Sequence, residues 1–290
     1  MKLFYFKLPN GELNFGDNLN PWLWENLIPG ALDSDEKVAF VGIGSLINDA
    51  LPQKIRHATK RVIFGSGVGY GNGNLKLDDS YTVYCVRGPL SAKALGLPTE
   101  VGITDGAALI RRVYKNTAKK KYRFAYMPHY ELAGEGWELA CKQSGFGYVD
   151  PRWPLEKVLS AMGETEVLLA EAMHGAIIAD ALRIPWIPIV TNSSILSFKW
   201  QDWCASIQVE YKPVHIERLF HPREKKDVFT PVRFVRDRLR QQKASKALQQ
   251  TAATQSPCLS QDAVIERLTE RLEEKLHQFQ QDIKRGKFAC

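Results

Sequence analysis

The sequence lacks any long hydrophobic run. None of its apolar stretches approaches the roughly 18 consecutive residues of a membrane-spanning helix, and the opening segment MKLFYFKLPN predicts a β-strand rather than a signal peptide. The five cysteines are odd in number and scattered, and no CxxC pair occurs, which argues against a disulfide framework and against a zinc site. We therefore expect a cytoplasmic protein, attached at most to a membrane surface, with no bound metal.

The excess of positive over negative residues lies in one part of the chain. The formal net charge is +7, and residues 211–290 carry all of it, with 17 Lys and Arg against 10 Asp and Glu. The balanced remainder has no basic stripe with interleaved aromatic residues, so we expect no nucleic-acid partner. A basic helix predicted over residues 229–248 is instead a candidate for binding an anionic membrane surface, with a solvated helix as the alternative.

The order of apolar and amphipathic segments predicts the fold class. Short apolar runs that end in glycine, such as VAFVGIGS and RVIFGSGVGYG, alternate with helical patterns, which indicates parallel sheets covered by helices. A polar segment, KNTAKKKYR, interrupts the alternation. We predict an α/β protein with two Rossmann-like domains, residues 1–118 and 119–220, a cleft at the carboxyl ends of their strands, and a basic helical tail, residues 221–290.

The tail contains a second predicted helix, over residues 260–285, after a linker at 251–259. Its apolar residues recur at intervals of three and four, which gives the helix a single apolar stripe. Two interpretations remain open at this point. The stripe either forms a coiled-coil seam in a homo-oligomer or packs back on the first domain.

Polar residues recur where the predicted strands end, which is the cleft edge of an open α/β sheet. These candidates for substrate binding or catalysis are Gly16, Asp17, Asn18, Gly67, Arg87, Asp105, His129, Glu171 and His174. Structural alternatives exist, because Asp17, Asn18 or Asp105 are favourable helix caps and Arg87 could hold a carboxylate across a domain boundary. Lys199, between aromatic residues in FKWQDW, is a candidate partner for a phosphate.

The motifs, taken in order, resemble the polysaccharide pyruvyltransferase family. The resemblance covers roughly residues 10–210 and rests on FGDNLNP, FVGIGSLIND, VIFGSGVGYG, VRGPLSAKALG, ITDGAAL and EAMHGAIIADALRIPWIPI. It implies two Rossmann-like domains in a GT-B-like arrangement. It also implies transfer of pyruvate from phosphoenolpyruvate to two hydroxyls of a sugar, forming a ketal and releasing phosphate. The acceptor would be an exopolysaccharide or lipid-linked oligosaccharide at the inner face of the cytoplasmic membrane, and no cofactor is needed.

The resemblance and the chemistry together suggest roles for the candidate residues. His174 is the predicted acid/base, and Asp17 or Asp105 would orient or deprotonate the acceptor. Many family members have an arginine two residues before the histidine, where this chain has Ala172, so Arg87 and Lys199 are the candidates for holding the donor. The alternative function is a GT-B-type glycosyltransferase that uses a nucleotide-sugar donor.

Overall fold

The computed structural model of the chain describes residues 1–8, 11–70, 75–192, 195–219 and 230–289, with the side chains of the last range described from residue 236 onward. These residues form two parallel β-sheets surrounded by helices. The predicted α/β class is therefore confirmed.

The first sheet has its strands in chain order, with each strand parallel to the next. Its strands are β1 (Lys2–Phe4), β2 (Val38–Val41), β3 (Lys60–Phe64) and β4 (Tyr81–Cys85). The central strand β2 is buried along its whole length, as expected for a parallel strand covered on both faces.

The second sheet is also parallel but changes direction within its order, which runs β6-β5-β7-β8-β9. Its strands are β5 (Tyr122–Met127), β6 (Gly147–Tyr148), β7 (Thr165–Ala170), β8 (Trp186–Val190) and β9 (Val214–His215). The chain leaves β5 toward β6 and then returns to place β7 on the other side of β5. In open α/β sheets, ligands bind outside the carboxyl ends of the strands at such a switch point.

Helices connect and cover the strands. They are α1 (Phe15–Leu27), α2 (Leu51–Lys54), α3 (Pro89–Ala94), α4 (Ile110–Val113), α5 (Glu135–Ser144), α6 (Leu155–Gly163), α7 (Met173–Ala181), α8 (Ser197–Ser206), α9 (Thr230–Thr254) and α10 (Asp262–Lys284). Short 3-10 helices occur at Thr99–Val101, Gly106–Leu109 and Tyr130–Leu132.

Helix α1 joins the two halves of the molecule. It contacts α6 and α7, which flank the second sheet, while its Trp24 ring packs edge-on against Phe40, 4.8 Å away, and Phe64, 5.3 Å away, in the first sheet. The buried Asn20 side chain accepts a hydrogen bond from the Ile43 amide (2.9 Å) and donates to the Ile43 carbonyl (3.1 Å). These contacts fix the start of α1 beside the turn that follows β2.

Helix α10 settles the two interpretations of the apolar stripe. Its Phe279 is fully buried, stacks on Phe40 at 5.2 Å and meets Tyr84 at 5.1 Å, and the Tyr84 hydroxyl donates to Asp282 (2.6 Å). The stripe therefore packs on the first sheet of its own chain. Of the two interpretations, packing on the first domain is the one observed, and the apolar side chains of this stripe are covered by their own chain rather than offered to a coiled-coil seam of a homo-oligomer through residues 260–285.

Helix α9 packs on the second half of the molecule. Its Leu248 is fully buried, and the Ser245 hydroxyl lies 2.9 Å from that of Ser144 in α5. The helix continues to Thr254, so the predicted linker at 251–259 is wrong in its first part. Residues 220–229 lie outside the described residues, and the start of the predicted membrane-binding helix at 229–248 falls there.

No helix among the described residues combines the length and the apolar character needed to cross a bilayer.

Candidate functional site

A cleft of about 670 Å³ opens at the carboxyl ends of the strands. Residues from both halves of the molecule line it, including Tyr5, Phe6, Asn14, Gly16, Asp17, Ser45, Lys54, Tyr70, His129, Tyr130, Ala172, His174 and Lys199. His129 follows β5 and His174 follows β7, so both lie at the switch point of the second sheet. The cleft therefore occupies the position that the sheet order predicts for a ligand.

His174 lies at the beginning of α7 against the start of α1. Gly16 has no side chain, and a Cβ atom there would lie only 2.0 Å from His174 Nδ1, so glycine is required for this approach. Burial, helped by the charges of Lys199 and Arg87, lowers the pKa of His174 to about 3. The imidazole is therefore neutral at physiological pH, the form that can take up a proton, although burial and the nearby charges make it a weaker base than a free histidine.

Asp17 occupies the first turn of α1, directly after Gly16, and its side chain accepts a hydrogen bond from Asn14. Burial raises the pKa of Asp17 to about 7, although the Asn14 hydrogen bond and the charge of Lys199 oppose the shift. The Asp17 carboxyl group is therefore protonated in a large fraction of the molecules near neutral pH. Asp17 can serve as an acid in the same cleft in which His174 is a base.

Asp105 lies behind His174 and does not line the cleft. It caps the 3-10 helix at Gly106–Leu109 by accepting from the Ala107 amide (2.9 Å), as the cap interpretation predicts. Its Oδ2 atom is 3.8 Å from His174 Nε2, and burial raises its pKa to about 7. Asp105 is therefore placed to influence the imidazole rather than to contact a ligand in the cleft.

Lys199 reaches the cleft from α8. Its side chain is 7% exposed, and its Nζ atom lies 3.0 Å from the Tyr70 hydroxyl on the turn that follows β3. Tyr70 itself is 53% exposed and has a φ of 43°, a left-handed conformation that is rare for a residue with a side chain. The Tyr70–Lys199 contact connects the two sides of the cleft.

His129 completes the charged and titratable groups of the cleft that the sequence predicted. Its ring packs against Tyr130, with 4.6 Å between centroids, and Nδ1 lies 3.7 Å from Glu131 Oε2. Burial and the Lys199 charge lower the pKa of His129 to about 4. Like His174, this imidazole is neutral at physiological pH.

Arg87 and Gly67 lie beneath the cleft surface. The Arg87 guanidinium is fully buried and forms an ion pair with Asp202 of α8, with Nε 3.0 Å from Oδ2. A Cβ atom on Gly67 would lie 2.2 Å from the Arg87 guanidinium carbon. The sequence alternative, an arginine that holds a carboxylate between the two halves of the chain, therefore describes the observed contact.

Glu171 is also buried, although it follows β7 as predicted. Its Oε1 atom accepts from the Thr191 amide (2.8 Å) and hydroxyl (2.7 Å), and its Oε2 atom accepts from the Tyr126 hydroxyl (3.1 Å) and the His129 amide (3.0 Å). These bonds tie together the ends of β5, β7 and β8. The side chain is fully used in holding the backbone around the cleft.

Asn18 is half-buried in α1 and does not belong to the cleft lining. Its backbone amide donates to the Asn14 carbonyl (2.9 Å). The cleft also contains residues that were not predicted, among them Ser45, Lys54, Tyr70 and Tyr130. Ser45 and Tyr70 belong to the two glycine-rich turns that the sequence marked, so the turns were a signal for them, whereas Lys54 and Tyr130 have no distinctive sequence pattern.

No protein-family model matches the chain. It is 39% identical over 216 residues to the succinoglycan biosynthesis protein ExoV of Rhizobium meliloti (strain 1021), a match that spans 73% of this chain and 67% of the relative.

Proposed function

Because the chain belongs to the polysaccharide pyruvyltransferase family, we propose that it transfers pyruvate from phosphoenolpyruvate to two hydroxyls of a sugar in exopolysaccharide biosynthesis. The observation that carries the proposal is the pairing, in one cleft, of a protonatable carboxyl group with a neutral imidazole and a cation. These are Asp17, His174 and Lys199. The named role of the relative in succinoglycan biosynthesis supports a glycan acceptor.

The reaction needs an acid for carbon and a base for each hydroxyl. We assign the acid to Asp17, which protonates the methylene carbon of phosphoenolpyruvate and leaves an oxocarbenium-like centre. The first sugar hydroxyl attacks this centre and gives its proton to His174, which the structure keeps neutral. General acid–base steps of this kind contribute about 10²–10⁴-fold each.

The second half of the reaction restores both groups. Phosphate leaves with the electron pair of its C–O bond and takes the proton from His174. The second hydroxyl then attacks the same carbon and returns a proton to the Asp17 carboxylate, closing the ketal. Of the two hydroxyl protons, one ends in the new methyl group through Asp17 and one on phosphate through His174, so the proton balance closes without an additional reactant.

The donor has to be bound by groups other than an arginine two residues before His174, because that position is Ala172, which lines the cleft. Lys199 is the cation that reaches the cleft from α8, and we propose that it binds the donor. Arg87 would act from beneath the surface through its charge, which also disfavours protonation of His174. The remaining candidate residues would shape the site around these groups. They are Asp105, Glu171, His129, Gly16, Asn18 and Gly67.

The proposal extends to the architecture. We propose that residues 1–118 and 119–220 form two Rossmann-like domains in a GT-B-like arrangement, with residues 221–290 as a helical tail. The two parallel sheets and the cleft at their carboxyl ends support this. Helix α1 makes the two halves share core contacts, so we expect them to unfold together.

We also propose that the protein works in the cytoplasm at the inner face of the membrane, where a lipid-linked acceptor would be found. Support comes from α9, where Arg236, Arg238 and Leu239 are exposed on a helix held to the molecule by α5. Flotation with liposomes should recover the protein with anionic lipid and leave it behind with neutral lipid. Arg238→Glu should weaken flotation, and equal recovery from both lipids would reject the electrostatic attachment.

Phosphate release tests the central reaction. The protein should release phosphate from phosphoenolpyruvate when galactosides, glucosides, mannosides or succinoglycan fragments are supplied as acceptors, and release should depend on His174. The competing glycosyltransferase function predicts turnover of UDP-sugars instead. Stabilisation by a UDP-sugar, with no effect of phosphoenolpyruvate on the melting temperature, would reject the proposal.

A further inference from the structure

Ser45 is the cleft residue that contacts the buried Arg87. The guanidinium donates in three directions, from Nε to Asp202 (3.0 Å), from one terminal nitrogen to Ser45 Oγ (2.7 Å) and from the other to the Val68 carbonyl (2.8 Å). Ser45 is partly exposed and lines the cleft. The serine is thus the point at which a fully buried cation comes into contact with the cleft.

The direction of this hydrogen bond fixes what Ser45 offers to a ligand. A guanidinium has only donors, so Ser45 Oγ must be the acceptor, and the hydroxyl hydrogen has to point elsewhere. Within the described ranges, no protein group accepts from this hydroxyl. The hydrogen is therefore available to an acceptor in the cleft, and the positive charge behind the oxygen makes it a stronger donor.

The Arg87–Asp202 ion pair connects Ser45 to the helix that carries Lys199. Asp202 and Lys199 are three residues apart on α8, which places them on neighbouring positions of one helix face. Asp202 also accepts from the Ser91 amide (2.9 Å), and the Ser91 hydroxyl accepts from the Val68 amide (2.9 Å). Asp202 thereby ties α8 to α3 and to the turn after β3.

We propose that Ser45 and Lys199 form the binding subsite for the donor's phosphate group, and that Arg87 and Asp202 position them. This inference rests on the proposed function and specifies where that donor binds. A hydroxyl donor and an ammonium group are suitable partners for phosphate oxygens. Because negative charge develops on the phosphate as it leaves, donors held in place at that position stabilise the transition state without reorganisation.

Isothermal titration calorimetry of phosphoenolpyruvate, inorganic phosphate and pyruvate tests the inference. Ser45→Ala should weaken binding of phosphoenolpyruvate and of inorganic phosphate about tenfold to hundredfold, the range for a hydrogen bond to a charged group. Binding of pyruvate should be unchanged. Ser45→Cys keeps the size of the side chain with a much weaker donor, so it should show the same pattern and serves if the alanine variant fails to fold.

The matched control is Ser66→Ala. Ser66 is fully buried in the neighbouring turn, where its hydroxyl donates to the Gly44 carbonyl (3.0 Å), so its loss tests general disturbance of the turns. This variant should bind phosphoenolpyruvate within about threefold of wild type. If Ser66→Ala and Ser45→Ala weaken binding equally, the effect is structural and the inference is wrong.

Arg87→Lys tests the positioning role. Lysine keeps the positive charge but lacks the fixed fork of donors, so Ser45 keeps its hydroxyl and loses its orientation. We expect the dissociation constant for inorganic phosphate to rise about tenfold while that for pyruvate stays constant.

The outcomes separate this inference from the proposed function. Wild-type protein that binds neither phosphoenolpyruvate nor phosphate would reject the proposed function and the subsite with it. Wild-type binding that Ser45→Ala leaves intact would overturn the subsite alone. Weaker binding of pyruvate, with unchanged binding of phosphate, would also overturn it, because Ser45 would then bind the carboxylate.

Discussion

Two groups of polar residues lie at the cleft and behind it, and they differ in what they contact. Asp17, His129, His174 and Lys199 line the cleft. Arg87, Asp105 and Glu171 are buried behind it and hold other parts of the protein. The end of a strand places a residue at the edge of the sheet, but the tertiary contacts of its side chain determine whether that side chain faces a ligand.

The largest difference between the two groups should appear in turnover. His174→Ala removes the base from the cleft, so kcat for phosphate release should fall by about 10²–10⁴-fold, with an unchanged circular dichroism spectrum. His129→Ala is the matched change in the same cleft and should cost less, since no proton transfer is assigned to it. Turnover of His174→Ala within tenfold of wild type would remove the residue from the reaction.

Substitutions of the residues buried behind the cleft should change the stability of the protein instead. Arg87→Ala leaves the Asp202 carboxylate without its partner in the interior, and we expect a loss of about 3–5 kcal/mol in the free energy of unfolding. Urea denaturation measures it. The control is Arg112→Ala, which removes a partly exposed arginine paired with Glu266 and Glu273 and should cost about 1 kcal/mol or less. Equal losses would contradict the distinction.

Burial of Asp17 should affect both turnover and stability. It keeps a proton on the acid of the reaction, and it lowers the free energy of unfolding where the carboxyl group would otherwise be ionised. Its folded-state pKa is raised from 3.8 to about 7, so the folded protein binds the extra proton between these pH values and loses stability as the pH rises through that window. Asp17→Asn removes this dependence. We expect the variant to be about 2–4 kcal/mol more stable than wild type at pH 8 and to gain much less at pH 4.

Urea denaturation at the two pH values checks the Asp17 prediction. The control is Asp79→Asn, which makes the same change from a carboxylate to an amide at an exposed position in a turn and reports the effect of that change on stability away from the cleft. The raised pKa of Asp17 also predicts a pH dependence of activity. Wild-type activity should decline as the pH rises above about 7, because Asp17 must hold a proton to act as the acid. An unchanged stability difference between pH 4 and pH 8 would show that Asp17 is not desolvated.

Glu171 should give the smallest effect. Glu171→Gln replaces one acceptor oxygen with an amide donor, facing groups that themselves donate, so we expect a loss of about 1–3 kcal/mol in unfolding free energy. Binding of phosphoenolpyruvate should change little. A tenfold rise in its dissociation constant, with unchanged stability, would move Glu171 from the buried group to the ligand-contacting one.

Much of the architecture was readable from the sequence because its signals are local. The apolar runs VAFVGIGS and RVIFGSGVGYG predicted parallel strands where β2 and β3 are found, and the ends of the predicted strands marked the cleft edge. Side-chain direction was not readable: the sequence left open whether Arg87 binds the donor or holds a carboxylate across the domain boundary, and nothing in it identifies Asp202, 115 residues away, as the partner. The stripe of α10 likewise left its partner open until its contact with Phe40 was seen.

Mass spectrometry of the glycan after incubation with ¹³C-labelled phosphoenolpyruvate tests the central claim most directly. We predict that the acceptor gains one labelled pyruvate ketal for each phosphate released, and that the His174→Ala protein yields neither product at a comparable rate. Phosphate release with an unlabelled glycan, or a glycan extended only when a UDP-sugar is present, would contradict the account.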